Sequence, residues 1–208
     1  MQHARHMAAG IILAAGASTR MGRTKQLLPM NGGTNLLEMI LGETLKSDLN
    51  KVCLVLGHKA EEIRSALGQR LQHPKLGIVW NRQYELGLSS SIISGLSQVE
   101  KAYDHVMIIL ADMPHIDARL INLLLRRYQD SNLPMGAIRI NKRRSHPVIF
   151  SRKMYHELHD LRGDVGARDL LQKYMDKVCL VDPEEFYGDI DIDTPEDYML
   201  FRNSPAKK

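Results

Sequence analysis

Residues 10–25, GIILAAGASTRMGRTK, join a short apolar run to a loop that is rich in glycine, hydroxyl groups and cations. The run 10–16 shows no alternation of apolar and polar side chains, which is typical of a parallel strand buried on both faces. Glycines let backbone N–H groups approach a ligand closely, and cations offset negative charge. The loop matches neither GxxxxGK[ST] nor GxGxxG, so it predicts a polyphosphate-binding loop of another type.

Strand-like and helix-like patterns alternate after this stretch. Short apolar runs recur at 51–57, 76–80 and 105–110, and helical periodicity is found at 34–47, 59–69, 89–102 and 117–129. Beyond residue 134, GAIRI, HPVIF and KVCLV predict further strands, with helices near 151–161, near 166–175 and from Pro195. This order predicts an α/β fold: a three-layer α/β/α Rossmann-like domain with a mainly parallel sheet and right-handed crossovers.

The composition is that of an ordinary globular protein. The 208 residues are 44% hydrophobic and 25% charged, which excludes disordered, collagen-like and disulfide-scaffold proteins. A net charge of +4 gives little support to nucleic-acid binding, and no run approaches the ~18 apolar residues of a membrane span. We therefore expect a disordered leader at 1–7 and a single domain over 8–204, with neither nucleic acid nor membrane as a partner.

The two cysteines each lie in an apolar run, VCLVL for Cys53 and VCLV for Cys179. This setting predicts buried strand residues rather than a disulfide or a metal-binding pair. Unpaired thiols suit a reducing compartment, so we expect the protein to be cytoplasmic.

A carboxylate follows the apolar run 105–110 in the sequence Ala111-Asp112-Met113-Pro114. Asp117 is placed to cap the next helix, which leaves Asp112 available for another role. Ligands of parallel α/β sheets bind outside the carboxyl ends of the strands. Asp112 is therefore a candidate ligand of Mg²⁺, which prefers one or two carboxylates together with substrate phosphates.

A second group of carboxylates occurs in GDIDIDTPED, residues 188–197. An extended backbone would place Asp189, Asp191 and Asp193 on one face, and like charges on one face favour a screening cation. Thr194 is then expected to cap a helix that begins with Pro195, with Asp197 completing a near capping box.

The segment LAAGASTRMGRTKQLLP resembles the signature loop of MobA-like nucleotidyltransferases, most closely the molybdenum cofactor cytidylyltransferases. The resemblance covers nearly the whole chain, through NRQYELG with the serines 89–91, ADMP, HPVIF, LRGDVGARDLL and DIDTPEDY. It implies a nucleotide-binding part at about 8–115 and an acceptor-binding part at about 116–204. The first motif and the last two together are specific, whereas each alone would be a moderate signal.

The resemblance also implies roles on the nucleotide side. Arg20, Lys25 and Asp112 would be catalytic, with both cations on the phosphates. The metal, Mg²⁺, would be held by Asp112, Asp191 and Asp193. Family members that use GTP carry LAGG in this loop and those that use CTP carry LAAG, so Ala15 points to CTP. The nucleotide-binding residues implied are Leu13, Ala14, Ala15, Gly16, Ser18, Arg20, Gly22, Lys25, Asn81, Ser89 and Ser90.

On the acceptor side, the resemblance implies His146, Asp164, Gly166 and Arg168 as contacts of a molybdopterin. The terminal phosphate of the molybdopterin cofactor would attack the α-phosphorus of CTP and expel pyrophosphate. A phosphate monoester is already anionic near neutral pH, so this reaction needs no general base. A molybdoenzyme or its chaperone would be a further partner.

Three alternatives stay open from the sequence. One is a nucleotidyltransferase for another phosphate monoester, such as a sugar phosphate or phosphocholine, because all such enzymes share the nucleotide half. Another is a molybdenum cofactor guanylyltransferase that uses GTP. The third is a non-catalytic accessory protein that binds the cofactor, which would have no need for Arg20, Lys25 and Asp112 together.

Overall fold

The computed structural model describes residues 7–30, 32–183, 187–188 and 190–203. These residues form one seven-stranded sheet covered by helices on both faces, which confirms the predicted fold class. The leader expected at residues 1–7 lies outside the described residues, except for Met7. Asp189 lies outside them as well. The strands are β1 Ala8–Ala14, β2 Lys51–Leu56, β3 Leu76–Trp80, β4 His105–Leu110, β5 Met135–Ile140, β6 Arg143–Ser151 and β7 Val178–Val181. The helices are α1 Leu36–Lys46, α2 Ala60–Leu67, α3 Leu88–Val99, α4 Ala118–Ser131, α5 Tyr155–His159, α6 Ala167–Lys173 and α7 Pro195–Asn203.

The strand order of the sheet is β3-β2-β1-β4-β6-β5-β7. Strand β1 pairs in parallel with β2 on one side and with β4 on the other, while β6 runs antiparallel between β4 and β5. The chain thus leaves β1 in one direction to build β2 and β3, and later returns to its other side to add β4. Such a reversal opens a crevice at the carboxyl ends of the two strands.

Alternate side chains of β1 enter the two layers of the core. Ile12 and Ala14 pack in the cluster that includes α1, α2, α4 and α7. Ile11 and Leu13 pack in the cluster that includes α3, α5 and α6. All seven residues of β1 are buried, as the unbroken apolar run predicts.

The predicted helix caps of α4 and α7 are confirmed. The Asp117 carboxylate accepts a hydrogen bond from the Leu120 backbone N–H at 2.9 Å. The Thr194 hydroxyl accepts one from Asp197 N–H at 3.2 Å, and the Asp197 carboxylate accepts from Thr194 N–H at 2.8 Å. These bonds satisfy N–H groups that have no partner within the helix.

Several predictions from apolar runs are wrong in detail because β3 and β7 are the edge strands of the sheet. Trp80 at the end of β3 is exposed, and the other four β3 residues are only half-buried. Cys179 in β7 is likewise half-buried rather than buried, whereas Cys53 in β2 is buried. An edge strand lacks a neighbouring strand on one side, and a run of apolar residues does not show whether its strand lies at the edge or in the middle of the sheet.

The helix expected near 151–161 is also shorter than predicted. A 3₁₀ turn occupies Arg152–Met154, and α5 has only five residues. Within the described part of the chain, every helix is too short or too polar to cross a membrane.

Candidate functional site

The loop after β1 turns sharply and then closes back on its own strand. Ser18 has φ 54° and Gly22 has φ 67°, and the two residues flank a 3₁₀ turn at Thr19–Met21. The Ser18 hydroxyl accepts a hydrogen bond from the Lys25 backbone N–H at 3.2 Å. A Cβ added to Gly16 would meet no atom within 4 Å, so the backbone there faces open space. A ligand can approach this backbone closely.

Gln26 holds this loop from beneath, a role that our sequence prediction missed. Its side-chain amide is buried and donates to the carbonyl oxygens of Ala14, at 3.1 Å, and Gly16, at 3.2 Å. Its amide oxygen accepts from the Ser18 hydroxyl at 3.3 Å. A glutamine beside a lysine in TKQLLP carries no sequence signal for burial, because only the loop folded over it removes it from water.

The cations of the loop meet carboxylates from two distant parts of the chain. The Lys25 ammonium lies 2.6 Å from Asp112 Oδ2 and 2.8 Å from Asp193 Oδ1. The Arg20 guanidinium lies 2.8 Å from Asp193 Oδ2. The Ile192 backbone N–H donates to the Asp112 carbonyl oxygen at 2.9 Å, which brings the segment before α7 against the end of β4. The structure therefore unites four of the predicted site residues in one ion cluster, named here the loop cluster.

The charges of the loop cluster shift the pKa values of its members. Burial favours the neutral form of Lys25, but Asp112 and Asp193 outweigh that effect and raise its pKa. Burial favours the protonated form of Asp193, but Lys25 and Arg20 outweigh it and lower its pKa. Both residues are consequently charged near neutral pH.

A cavity of about 680 Å³ opens beside the loop cluster at the carboxyl ends of β1 and β4. Eight predicted site residues line it: Leu13, Ala15, Gly16, Arg20, Lys25, Asp112, Asp164 and Asp193. The lining also contains Ala17 and Thr19 of the predicted loop and Ser91 of the serine run 89–91. The residues that we did not predict are Gln26, Tyr84, Glu85, Gly87, Leu88, Leu110 and Ala111. The cavity thus has the loop cluster at one end, while its other walls are mainly apolar and also include Glu85, Ser91 and Asp164.

Other predicted nucleotide contacts lie outside this lining, with their polar groups engaged in the protein. The Asn81 amide donates to the hydroxyls of Ser90, at 2.8 Å, and Ser91, at 3.0 Å. The Ser89 backbone N–H donates to the Gly163 carbonyl oxygen at 3.1 Å. Ala14, Ser18 and Gly22 likewise belong to the strand and loop framework rather than to the cavity wall. Asn81 organises the start of α3, which carries Ser91 to the cavity.

The predicted acceptor contacts are divided in the same way. Asp164 lines the cavity, and Gly166 directly precedes α6. His146 is buried in β6, with Nδ1 at 3.4 Å from the Ile108 carbonyl oxygen, and Arg168 is exposed on α6. Only Asp164 of these four lines the cavity, and the acceptor-binding roles of all four stay predictions.

The loop cluster contains an atom that suits a divalent cation. Asp112 Oδ1 is buried and accepts no hydrogen bond from any described residue, although Oδ2 is bonded to Lys25. A buried carboxylate oxygen without a partner is costly, and a hard cation that also takes phosphate oxygens would satisfy it. Among the described residues, no three His, Cys, Asp or Glu side chains form a ready-made metal cage. Asp191 is half-buried and does not line the cavity.

Comparison with curated proteins finds relatives that extend over almost the whole chain. The purine catabolism protein PucB of Bacillus subtilis is 30% identical over 94% of this chain and 96% of its own. Nicotine blue oxidoreductase of Paenarthrobacter nicotinovorans is 29% identical over 90% of this chain and 92% of its own. The molybdenum cofactor cytidylyltransferase of Escherichia coli is 26% identical over 91% and 92%.

Comparison with solved structures agrees with this result. The structure of Rv0371c from Mycobacterium tuberculosis in complex with manganese superimposes with a TM-score of 0.78 and 26% identity, over 96% of this chain and all of that one. The family described as the MobA-like NTP transferase domain matches residues 10–178, which include the loop after β1, Asp112 and Asp164. With this match spanning most of the sheet and the cavity, the chain belongs to the MobA-like NTP transferase family and is a nucleotidyltransferase.

Proposed function

We propose that the protein transfers CMP from CTP to the terminal phosphate of the molybdopterin cofactor and releases pyrophosphate. The observation that carries this proposal is the loop cluster, which gathers Arg20, Lys25, Asp112 and Asp193 at the charged end of a cavity. Support for the substrates comes from the LAAG form of the loop and from the cytidylyltransferase of Escherichia coli among its relatives.

The main obstacle to this reaction is the repulsion between two anionic substrates. Two like charges about 4 Å apart repel by about 4 kcal/mol at an effective dielectric constant near 20. Arg20 and Lys25 would offset this charge once phosphates replace the carboxylates as their partners. The attacking phosphate oxygen is already ionised, so the residues need to align and neutralise rather than to remove a proton.

A divalent cation would supply further neutralisation of the phosphates when it is bound. Asp112 would hold it through the buried Oδ1, with Asp193 and Asp191 from the segment before α7 as additional ligands. The complex of the Mycobacterium tuberculosis neighbour with manganese supports the use of a divalent metal by this protein. We propose Mg²⁺ as the ion, because it is the usual partner of nucleoside triphosphates.

The LAAG form of the loop, whose Ala15 lines the cavity, supports a pyrimidine as the base. A Cβ on Gly57 would lie 2.8 Å from Ala15 Cβ and 2.7 Å from Tyr84 Cβ, so the end of β2 presses directly on the loop and on the cavity wall. Contacts to the base and ribose would then come from the loop backbone and from the start of α3, which Asn81 orders through Ser90 and Ser91.

The test is a pyrophosphate-release assay with purified protein, Mg²⁺, each of the four NTPs in turn and molybdopterin. We expect release with CTP only, and only when molybdopterin is present. Release with GTP in place of CTP would mean that GTP is the donor. Release that requires a sugar phosphate or phosphocholine would mean that this compound, and not molybdopterin, is the acceptor. The structure gives a reason to test other acceptors, because Asp164 is the only one of the four predicted acceptor contacts that lines the cavity.

A further inference from the structure

The two sides of the cavity meet where the start of α3 touches the turn before α6. A Cβ built on Gly87 would lie 2.4 Å from the carbonyl carbon of Gly163 and 2.6 Å from Asp164 Oδ1. Gly87 also has φ 94°, a backbone conformation that side chains disfavour. The absence of a side chain at Gly87 therefore allows the backbone of the turn to lie against α3.

The contact is reciprocal, because a second glycine makes room from the opposite side. A Cβ on Gly166 would lie 3.0 Å from Leu88 Cδ2, so Leu88 packs over the backbone of the turn. Residues 162–166, named here the acceptor turn, thus interlock with Gly87 and Leu88.

Hydrogen bonds strengthen this interlock at the first turn of α3. The residue before α3 is Gly87, which has no side chain to cap the helix. Instead, the Ser89 N–H donates to the Gly163 carbonyl oxygen at 3.1 Å, and the Leu88 N–H lies 3.4 Å from Asp164 Oδ1. The first N–H groups of a helix have no partner within it, and a carboxylate there also interacts favourably with the helix dipole. The acceptor turn therefore serves as the cap of α3.

The acceptor turn is also tied to α6, on its other side. The Val165 N–H donates to the Arg162 carbonyl oxygen at 3.3 Å, and the Gly166 N–H donates to the Asp169 carboxylate at 3.0 Å. Leu170 and Leu171 then anchor α6 in the core. Gly87, Leu88 and Ser91 on one side of this junction, and Asp164 on the other, all line the cavity.

We propose that this junction couples the two substrate sites: a nucleotide that binds against Gly87 and Leu88 orders the acceptor turn through α3. The inference rests on the proposed function only in taking a nucleotide and an acceptor as the two substrates. A ligand that restricts one side of an interlocked contact restricts the other as well, which lowers the ordering cost of the second ligand. Gly87 and Asp164 are positioning residues in this scheme.

Amide hydrogen exchange tests the junction without any need for turnover. In the wild type we expect slow exchange at Ser89 and further protection of residues 162–166 when Mg²⁺ and a binding NTP, chosen from the four, are added. The Gly87→Ala variant should exchange Ser89 at least tenfold faster and lose the nucleotide-dependent protection of the acceptor turn. Gly42→Ala is the matched control, because a Cβ there meets no atom within 4 Å.

A second variant covers the case in which Gly87→Ala fails to fold. Asp164→Ala removes the carboxylate without adding bulk, and it should speed exchange at Leu88 while Ser89 keeps its bond to the Gly163 backbone. Asp160→Asn, an exposed site just outside the turn, should change neither. If exchange is unchanged at Leu88 in Asp164→Ala and at Ser89 in Gly87→Ala, the acceptor turn does not cap α3.

Unchanged nucleotide-dependent protection of the acceptor turn in a folded Gly87→Ala protein would overturn the coupling. So would a wild-type acceptor turn that no NTP protects, although the NTP binds. A failure of CTP and molybdopterin in the pyrophosphate assay would instead overturn the proposed function alone, since exchange is measured with whichever NTP binds.

Discussion

Lys25 is the residue on which the site depends most directly. Its ammonium group bonds to both Asp112 and Asp193 and so holds two carboxylates together that would otherwise repel each other. In the proposed reaction the same ammonium group would bond to the phosphates of the nucleotide instead. We therefore expect Lys25 to exchange carboxylate partners for phosphate partners when a nucleotide and its metal bind.

Replacing Lys25 or Asp112 by alanine should lower turnover by at least about 100-fold, because each removes charge stabilisation at the reacting phosphates. Pyrophosphate release measures the loss, and circular dichroism should show an unchanged fold. Lys153→Ala and Asp130→Ala, at exposed positions, are controls expected to keep full activity. Normal turnover by the Asp112→Ala protein would refute the metal assignment.

Gln26 offers a separate prediction at the same scale. Gln26→Leu would leave the carbonyl groups of Ala14 and Gly16 without their side-chain donor, and a buried unsatisfied group costs about 1–3 kcal/mol. If the loop loses this conformation, the KM for the nucleotide should rise about tenfold to 100-fold. Steady-state kinetics check this, with the exposed Gln69→Leu as control. An unchanged KM would mean that the loop keeps its shape without Gln26.

At the scale of the elements, position within the sheet decides the environment of similar apolar runs. VCLVL in β2 lies between β1 and β3, whereas VCLV in β7 forms an edge. Burial raises the pKa of the Cys53 thiol to about 12, because the charged thiolate is poorly solvated inside the sheet. Cys179 is half-buried. The two thiols should therefore differ in reactivity despite their similar sequences.

A thiol reagent at pH 8 should modify one cysteine in the native protein and both in denaturant. With a pKa of about 12, only about one Cys53 in 10⁴ is the reactive thiolate at that pH, and the fraction rises towards ordinary values on unfolding. The Cys179→Ser variant should show no rapid reaction in the native state. Rapid modification of Cys53 in that variant would contradict its burial.

At the scale of the whole molecule, ligand binding should stabilise the fold. A ligand at 100 times its Kd adds about 2.7 kcal/mol to the free energy of unfolding, which for a chain of this length raises Tm by about 5–11 °C. We expect this shift with CTP and Mg²⁺ in a thermal melt. The increment due to Mg²⁺ should disappear in Asp112→Ala, and equal stabilisation with and without Mg²⁺ in the wild type would argue against a metal at Asp112.

The sequence by itself determined the alternation of strands and helices, the burial of β1, the caps at Asp117 and Thr194, and the composition of the loop after β1. These features depend on local periodicity and on residues that are neighbours in the sequence, so they can be predicted from the sequence alone. It also singled out Arg20 and Lys25 through the composition of that loop, Asp112 through its place after a strand, and Asp193 through the alternating carboxylates of GDIDID.

Only the tertiary structure decided which of these residues meet. Lys25 and Asp193 are 168 positions apart, and their contact depends on the strand order and on the segment that crosses the end of β4. The burial of Gln26, the edge positions of β3 and β7 and the contact of Gly87 with Gly163 have the same origin. Each of them results from packing between distant segments, and a pattern within one segment contains no information about the partner that will cover it.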